Sequence, residues 1–323
     1  MRVLLTGSSG WLGRCLAPML CDAGHEVVGL DWTPADHTSH VGSIADRAFV
    51  MRVMSEHGIQ AVVHGAALHK PDVERFPART FVDVNVSGTQ NLLDAAVAVG
   101  VTRFVFTSTT SLMISQAIRD EVGRAAVWLD EQTGPLEPRN IYGATKLAAE
   151  TLCRVQHLQH GLPCVVLRTG RFFPEDDDTL DALSGENLKS NELLNRRLTV
   201  EDAARAHLAA LARAPDLGFD IFIVSASTPF ARADAAELRR DAAAVVARRF
   251  PRARALYATR GWHLPRTISR VYDSSRAERV LGFRCATDFG ALLDALEAGR
   301  PLPFAHDPSY VSPSAAVAGR DGA

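Results

Sequence analysis

Short unbroken apolar runs recur along the chain at Val3–Thr6, Val27–Leu30, Ala61–His64, Phe104–Thr107, Val165–Arg168 and Ile221–Val224. Runs of this length, rich in β-branched residues, suit strands covered on both faces, as in a parallel sheet. Between them the period changes. Asn85–Val99, "NVSGTQNLLDAAVAV", places apolar residues at i, i+3, i+4 spacing, and Tyr142–His157 does the same, which predicts amphipathic helices. Strands alternating with helices predict an α/β fold with a doubly wound parallel sheet.

Past residue 170 the alternation stops. Phe172–Arg197 is polar and irregular, with an acidic run at Glu175–Asp178, and helical stretches follow at 201–213, 234–249 and 288–298. The pattern predicts a main domain over 1–170 and a smaller C-terminal substrate-binding lobe over 171–300. One strand near 219–225 should return to the main sheet. The stretch from 301 to 323 holds four prolines and ends in small and polar residues; it reads as a poorly ordered tail.

Composition adds limits. The 323 residues are 47% hydrophobic with a net charge of -2, so no nucleic-acid surface is expected. Five cysteines with no C-x-x-C pair give no disulfide framework and fit a reducing cytoplasm. The chain enters a strand at once, without the charged and apolar segments of a signal peptide. No apolar run is long enough to span a bilayer.

The first chemistry lies at the end of the first strand. "TGSSGWLG" sets Gly7, Gly10 and Gly13 at three-residue intervals between a strand and a helix. Glycine permits a tight turn and close approach of the backbone to a pyrophosphate, and the helix N-terminus favours the phosphate charge. Gly7, Ser9, Gly10, Trp11, Leu12 and Gly13 are therefore candidate cofactor-binding residues. A tight strand-to-helix turn alone would need the same glycines. The next strand, "HEVVGLD", ends in Asp31. A carboxylate there accepts hydrogen bonds from the adenosine ribose and repels a 2′-phosphate, which favours NAD over NADP. With that cradle the predicted sheet is Rossmann-like.

"NIYGATKLAAE" then gives Tyr142 and Lys146 as Y-x-x-x-K. Residues four apart share a helical face. A free phenol titrates near pH 10, too high for a base at neutral pH, and a nearby lysine cation and an oxidised nicotinamide would bring that value down. Tyr142 could then exchange a proton with a substrate alcohol while a hydride moves to or from the nicotinamide. "RFVFTSTTS" offers Thr109, with Ser108 and Thr110 as neighbours, to hold the same oxygen; hydroxyls capping a strand end are the plain alternative.

Taken in order, T-G-x-x-G-x-x-G, "HGAA" at 64–67, "VNVSGTQNLLDAA" at 84–96, "FTSTTS" at 106–111, "YGATK" at 142–146, "LRTGRFFP" at 167–174 and "VEDAARAHLAAL" at 200–211 resemble the extended short-chain dehydrogenase/reductase family of the NAD-dependent epimerase/dehydratase type. The resemblance covers about residues 1–300. It implies Thr109, Tyr142 and Lys146 as catalytic residues, with Lys146 also on the nicotinamide ribose. It implies backbone contacts from Ala66 and Ala67, a site-side asparagine at Asn85, and an adenine-contacting pair at Ser43–Ile44, where the family usually has aspartate in place of Ser43. It also implies a homodimer paired through Asn85–Val99 and Tyr142–His157. The chain departs from the family at Gly170, often asparagine, in the short segment from Arg168 to Val200, and in lacking a late R-P-G-D motif, all of which point away from a nucleotide-sugar substrate.

The chemistry expected is hydride transfer at a secondary alcohol or ketone carbon of a sugar or sugar-like small molecule. The outcome is epimerisation, or simple oxidation or reduction of a free sugar or uronate. Thr110 and Ser111 stand where dehydratases carry an acid pair. His69, Thr110, Arg171 and Arg197 are candidate substrate contacts; Lys70 and Arg196 lie beside them. Glu175–Asp178 lacks a nearby histidine or cysteine and reads as a solvated face, so no metal is expected. A cofactor-binding regulator without catalysis is the reading from another class, and it would be expected to lose Tyr142 or Lys146.

Overall fold

The computed structural model describes residues 1–176 and 183–318. Its strands are β1 (Arg2–Thr6), β2 (Glu26–Asp31), β3 (His40–Val41), β4 (Ala61–His64), β5 (Arg103–Thr109), β6 (Val127–Leu129), β7 (Cys164–Thr169), β8 (Phe219–Val224) and β9 (Arg270–Tyr272). Seven of them form one sheet in the order β3-β2-β1-β4-β5-β7-β8, with every pair parallel. All six apolar runs become strands of this sheet. The order reverses at β1 and β4, and a doubly wound sheet opens its crevice at the carboxyl ends of the strands at such a point.

Both faces of the sheet are covered. Val3 and Leu5 of β1, Val63 of β4 and Val105 of β5 pack with the helices Trp11–Asp22 and Val200–Leu217. Their neighbours Leu4, Val62, Phe104 and Phe106 point the other way, against the helices Arg47–Glu56, Gly88–Ala98 and Ile141–His160. Period-two alternation with both sets apolar is what makes the runs read as continuous. Each such side chain, withdrawn from water, contributes roughly 1.5–3 kcal/mol.

The expected smaller lobe has its own core, in which Leu193, Leu238, Val245, Tyr257, Phe289 and Leu292 are buried together. Two short strands were not foreseen: β6, from within residues 1–170, pairs parallel with β9 as a separate sheet, and Ala126 just before it and Trp128 within it pack into this core. The strand near 219–225 is β8, which lies in the main sheet beside β7.

The end of the chain differs from its expectation. Over 301–318 it folds back across the main domain. The Asp307 N–H donates to the Pro174 carbonyl at 2.9 Å, Lys189 Nζ meets His306 Nδ1 at 2.7 Å, and the Tyr310 ring stands edge-on to Trp11 at 5.2 Å. A helix, Pro313–Ala318, follows, and Ser314 hydrogen-bonds the Asp72 carboxylate. A proline-rich composition loosens a segment only where nothing holds it, and here aromatic and polar contacts do. Asp177 and Asp178 of the acidic run, and residues 319–323, lie outside the described residues. Among the described residues no helix is long and apolar enough to cross a membrane.

Candidate active site

A cavity of about 680 Å³ opens over the carboxyl ends of β1, β2, β4 and β5. At one end is the glycine turn. Gly7 has a φ of +78°, and a Cβ there would meet Ala66 N at 2.7 Å. A Cβ on Gly13 would lie 2.1 Å from the Gly7 carbonyl oxygen. Only glycine therefore lets the turn, the helix and the 64–67 segment approach this closely. Gly10 caps the helix with extended backbone and no side-chain hydrogen bond, which leaves the first-turn N–H groups without a side-chain acceptor.

Asp31 closes the same end. Its Oδ2 accepts from the Ser9 N–H at 2.9 Å and its Oδ1 from the Trp32 N–H. A carboxylate has about four acceptor positions, so capacity for ribose hydroxyls remains. A Cβ-free cradle, an uncapped helix N-terminus and a carboxylate at the next strand end fit a dinucleotide.

Of the residues expected to contact the cofactor, Gly7, Gly10, Trp11, Leu12, Gly13, Asp31, Ile44, Ala66 and Ala67 line the cavity. Ser9, Ser43 and Asn85 do not, and each holds a lining segment instead. The Ser9 hydroxyl bonds Thr33 at 2.9 Å. The Ser43 hydroxyl accepts from Ala45 N at 3.2 Å. Buried Asn85 accepts from Leu68 N at 2.8 Å and donates to Leu68 O at 2.9 Å and to Thr145 at 3.1 Å, pairing with the backbone as a strand would.

A buried chain locks that segment further. Ala66 N donates to Thr6 Oγ1 at 3.2 Å, and Thr6 Oγ1 meets His64 Nδ1 at 2.8 Å. His64 Nε2 meets Thr89 Oγ1 at 2.9 Å, and Thr89 donates to the Asn85 carbonyl at 2.7 Å. The terminal carbonyl can only accept, so His64 carries its proton on Nε2 and is neutral. Burial holds its pKa well below the ordinary value.

The other end holds the expected catalytic group. Asn140 caps the helix Ile141–His160 by accepting from Gly143 N at 2.9 Å, which puts Tyr142 in the first turn and Lys146 one turn on. Thr109 ends β5 and lines the cavity with Tyr142. Thr109 Oγ1 accepts from Ser111 N at 3.1 Å, which leaves its own proton to donate. Burial pushes the Tyr142 pKa up to about 12, against the pull of Thr109. Burial also brings Lys146 down to about 7. The sequence reading expected a lysine cation to depress the phenol. Here desolvation governs both groups, and the phenol is neutral.

Behind Lys146, Thr107 works in two directions. Its carbonyl accepts from Lys146 Nζ at 2.8 Å, and its hydroxyl reaches His207 Nε2 at 2.8 Å. His207 Nδ1 faces the Ala203 carbonyl at 2.7 Å, so Nδ1 bears the proton and Thr107 donates. A buried ion pair backs Thr109 in turn. Ser108 donates to Glu150, which takes Arg168 Nε at 3.0 Å and Nη2 at 2.7 Å. Sequence reasoning passed over this pair. The signal was an arginine ending an apolar strand, which must find a carboxylate once buried, and Glu150 one turn after Lys146 supplies it.

Of the candidate substrate contacts, His69, Thr110 and Arg171 line the cavity. Arg197 does not. It is 2% exposed, its Nε donates to Glu192 at 2.8 Å and its Nη1 to the Phe173 carbonyl. It is a structural residue, and Arg196 faces the cavity in its place.

Residues 3–222 match the NAD-dependent epimerase/dehydratase family. A 3-beta-hydroxysteroid dehydrogenase of Mycolicibacterium neoaurum is 30% identical over 200 residues, 58% of this chain and 52% of that one. A UDP-glucose 4-epimerase of Streptomyces lividans is 31% identical over 173 residues, 51% of this chain and 50% of its own. The chain spans about half the length of these relatives. The crystal structure of a UDP-glucose-4-epimerase from Stenotrophomonas maltophila, with bound NAD and formylated UDP-arabinopyranose, superposes with a TM-score of 0.66 at 23% identity, covering 93% of this chain and 98% of that one, and so shares the fold. With a family match that takes in both the glycine cradle and the Y-x-x-x-K helix, the chain belongs to the NAD-dependent epimerase/dehydratase family.

Proposed function

We propose that the chain is an NAD-dependent oxidoreductase that interconverts a secondary alcohol and a ketone on a sugar or sugar-like substrate. The observation that carries this is that Thr109, Tyr142 and Lys146 line one cavity with the glycine turn, Lys146 one helical turn from Tyr142. NAD, when bound, supplies the hydride acceptor and, in its oxidised form, a positive charge.

Tyr142 moves the proton. In oxidation the hydroxyl O–H proton passes to the phenolate oxygen as the carbon gives up its hydride and a C=O bond forms. In reduction the phenol returns that proton to the ketone oxygen. Thr109 orients the substrate oxygen, and Lys146, when charged, stabilises the phenolate. A phenol held near 12 is set to donate; oxidation requires that its pKa fall on loading of the cavity. Epimerisation would require the ketone to turn over before hydride returns.

Screening free sugars, sugar acids and sugar nucleotides for NADH formation tests the reading. Turnover that survives Tyr142→Phe would remove its basis. Two chains are proposed to pair through the faces of Gly88–Ala98 and Ile141–His160, where Leu158 is 71% exposed; a monomer in light scattering at micromolar concentration would refute that.

A further inference from the structure

Beyond Thr109 and Tyr142 the cavity wall turns cationic. Lys70, Arg119, Arg139, Arg171, Arg196 and Arg270 all line it. They come from six separate segments. Arg171 and Arg196 share one buried carboxylate, Glu192, at 3.9 and 2.8 Å. Among the described residues, the side chains of Lys70, Arg119 and Arg139 make no ion pair, and the buried Nε of Arg270 has no hydrogen-bond partner.

The net charge of the whole chain is only -2, and several arginines outside the cavity have acidic partners: Arg79 with Asp83, Arg239 with Glu121, Arg248 with Glu237, Arg249 with Asp234. Four arginines, Arg171, Arg119, Arg139 and Arg196, bear on Lys70 and, after burial, push its pKa down. Arg119 and Arg270 do the same to Arg139. Of the carboxylates that also line the cavity, Asp31 ends β2 and accepts from the Ser9 N–H of the glycine turn, and Asp176 faces His306 at 3.7 Å. Glu74 and Glu175 line it too, and Glu175 acts on Arg171 as a partial counter-charge.

Converging like charges in a half-enclosed cleft are costly without a counter-charge, and such a cleft focuses its field on an anion. Guanidinium forks match carboxylate and phosphate oxygens two at a time. Given the hydride-transfer reading above, we infer that the substrate carries an anionic group, a carboxylate or a phosphate, which this cluster binds while Thr109 and Tyr142 hold the reacting carbon. The substrate is then a sugar acid or a sugar phosphate rather than a neutral sugar.

The test uses the full chain saturated with NAD, as wild type and as Arg119→Gln/Arg139→Gln. Both arginines are exposed, so the thermal midpoint should hold. Calorimetry measures binding of D-glucuronate, D-glucose 6-phosphate, inorganic phosphate and neutral D-glucose, and NADH formation is followed across aldonates, uronates, sugar phosphates and their neutral parents. The expected result is anion binding that weakens about tenfold or more in the variant. Turnover should favour one anionic class over its neutral parent, with KM raised and kcat kept within a few-fold. Whether carboxylates or phosphates win names the group. A neutral parent bound or turned over as well as its acid or phosphate overturns the inference while hydride transfer stands. So does an equal affinity for anions in wild type and variant. Anion binding that the variant loses, with no NADH from any compound, keeps the inference and refutes the oxidoreductase reading. Absence of both anion binding and any anionic preference refutes it outright.

Discussion

Lys146 Nζ donates to the Thr107 carbonyl at 2.8 Å and lies over the Phe106 ring at 4.7 Å, so the strand end that presents Thr109 also fixes the lysine. The two catalytic elements, β5 and the helix Ile141–His160, are tied together directly beneath the proposed reaction. Tyr142, at the start of that helix, is then free to move its proton without disturbing the fold. Tyr142→Phe keeps the ring and removes the phenolic oxygen. Turnover per folded molecule should fall about a hundredfold or more, with the thermal midpoint and NAD affinity little changed. A loss of stability with activity per folded molecule retained would make Tyr142 a packing residue.

Lys146 also gives a pH signature. In the folded chain its pKa is about 7 against 10.5 for a free lysine. Between those two values the unfolded chain binds the proton and the folded chain does not. Stability contributed by this site therefore rises with pH across that window and is flat below it. Denaturant midpoints at pH 7 and pH 10 should show wild type gaining a few kcal/mol relative to Lys146→Met, following roughly 1.4 kcal/mol per pKa unit. Parallel pH curves for the two proteins would show that the lysine keeps its charge when buried.

The glycine turn and Asp31 separate two ways of losing the cofactor. Gly13→Ala forces a methyl against the Gly7 carbonyl, where the space is 2.1 Å, so the turn must open. NAD affinity and the thermal midpoint should fall together. Asp31→Ala removes only a carboxylate, so NAD binding should weaken while NADP binding gains relative to it. Wild-type protein that holds NADP more tightly than NAD would contradict this role for Asp31.

Glu150→Gln strands Arg168, both members being 4% exposed. Breaking a buried pair on one side costs about 3–5 kcal/mol, and the urea midpoint should register it. The double change Glu150→Gln/Arg168→Met should recover part of the loss, because no uncompensated charge remains. A neutral single variant would mean that water reaches the pair.

Much of the fold was legible because its signals are local. Both faces of the main sheet are buried, so its strands announce themselves as apolar runs, and the cradle and the Y-x-x-x-K pair are set by spacing within one turn or helix. What escaped depends on distant partners. Val127–Leu129 becomes a strand only because Arg270–Tyr272 lies beside it, and β3 is two residues long. Arg196 and Arg197 are indistinguishable in sequence. An isolated bridge from Arg171 to Arg197 fixes extended backbone there, and neighbouring side chains on such backbone face opposite ways. Both reach Glu192, but Arg196 also lines the cavity while Arg197 is buried behind it.

The returning segment has a kinetic consequence. Pro308, Tyr310 and Ser314 form part of the wall of the cavity that Trp11 and Asp31 also line, held by an edge-on ring contact and a few hydrogen bonds. Where release of a ligand seated against them requires this stretch to peel away, release is gated by a local opening. The ligand's residence time then follows the free energy of that local opening, multiplied through the fraction of molecules open at any instant. Loosening Tyr310 would speed entry and exit together, and the equilibrium constant alone would conceal how far each had changed.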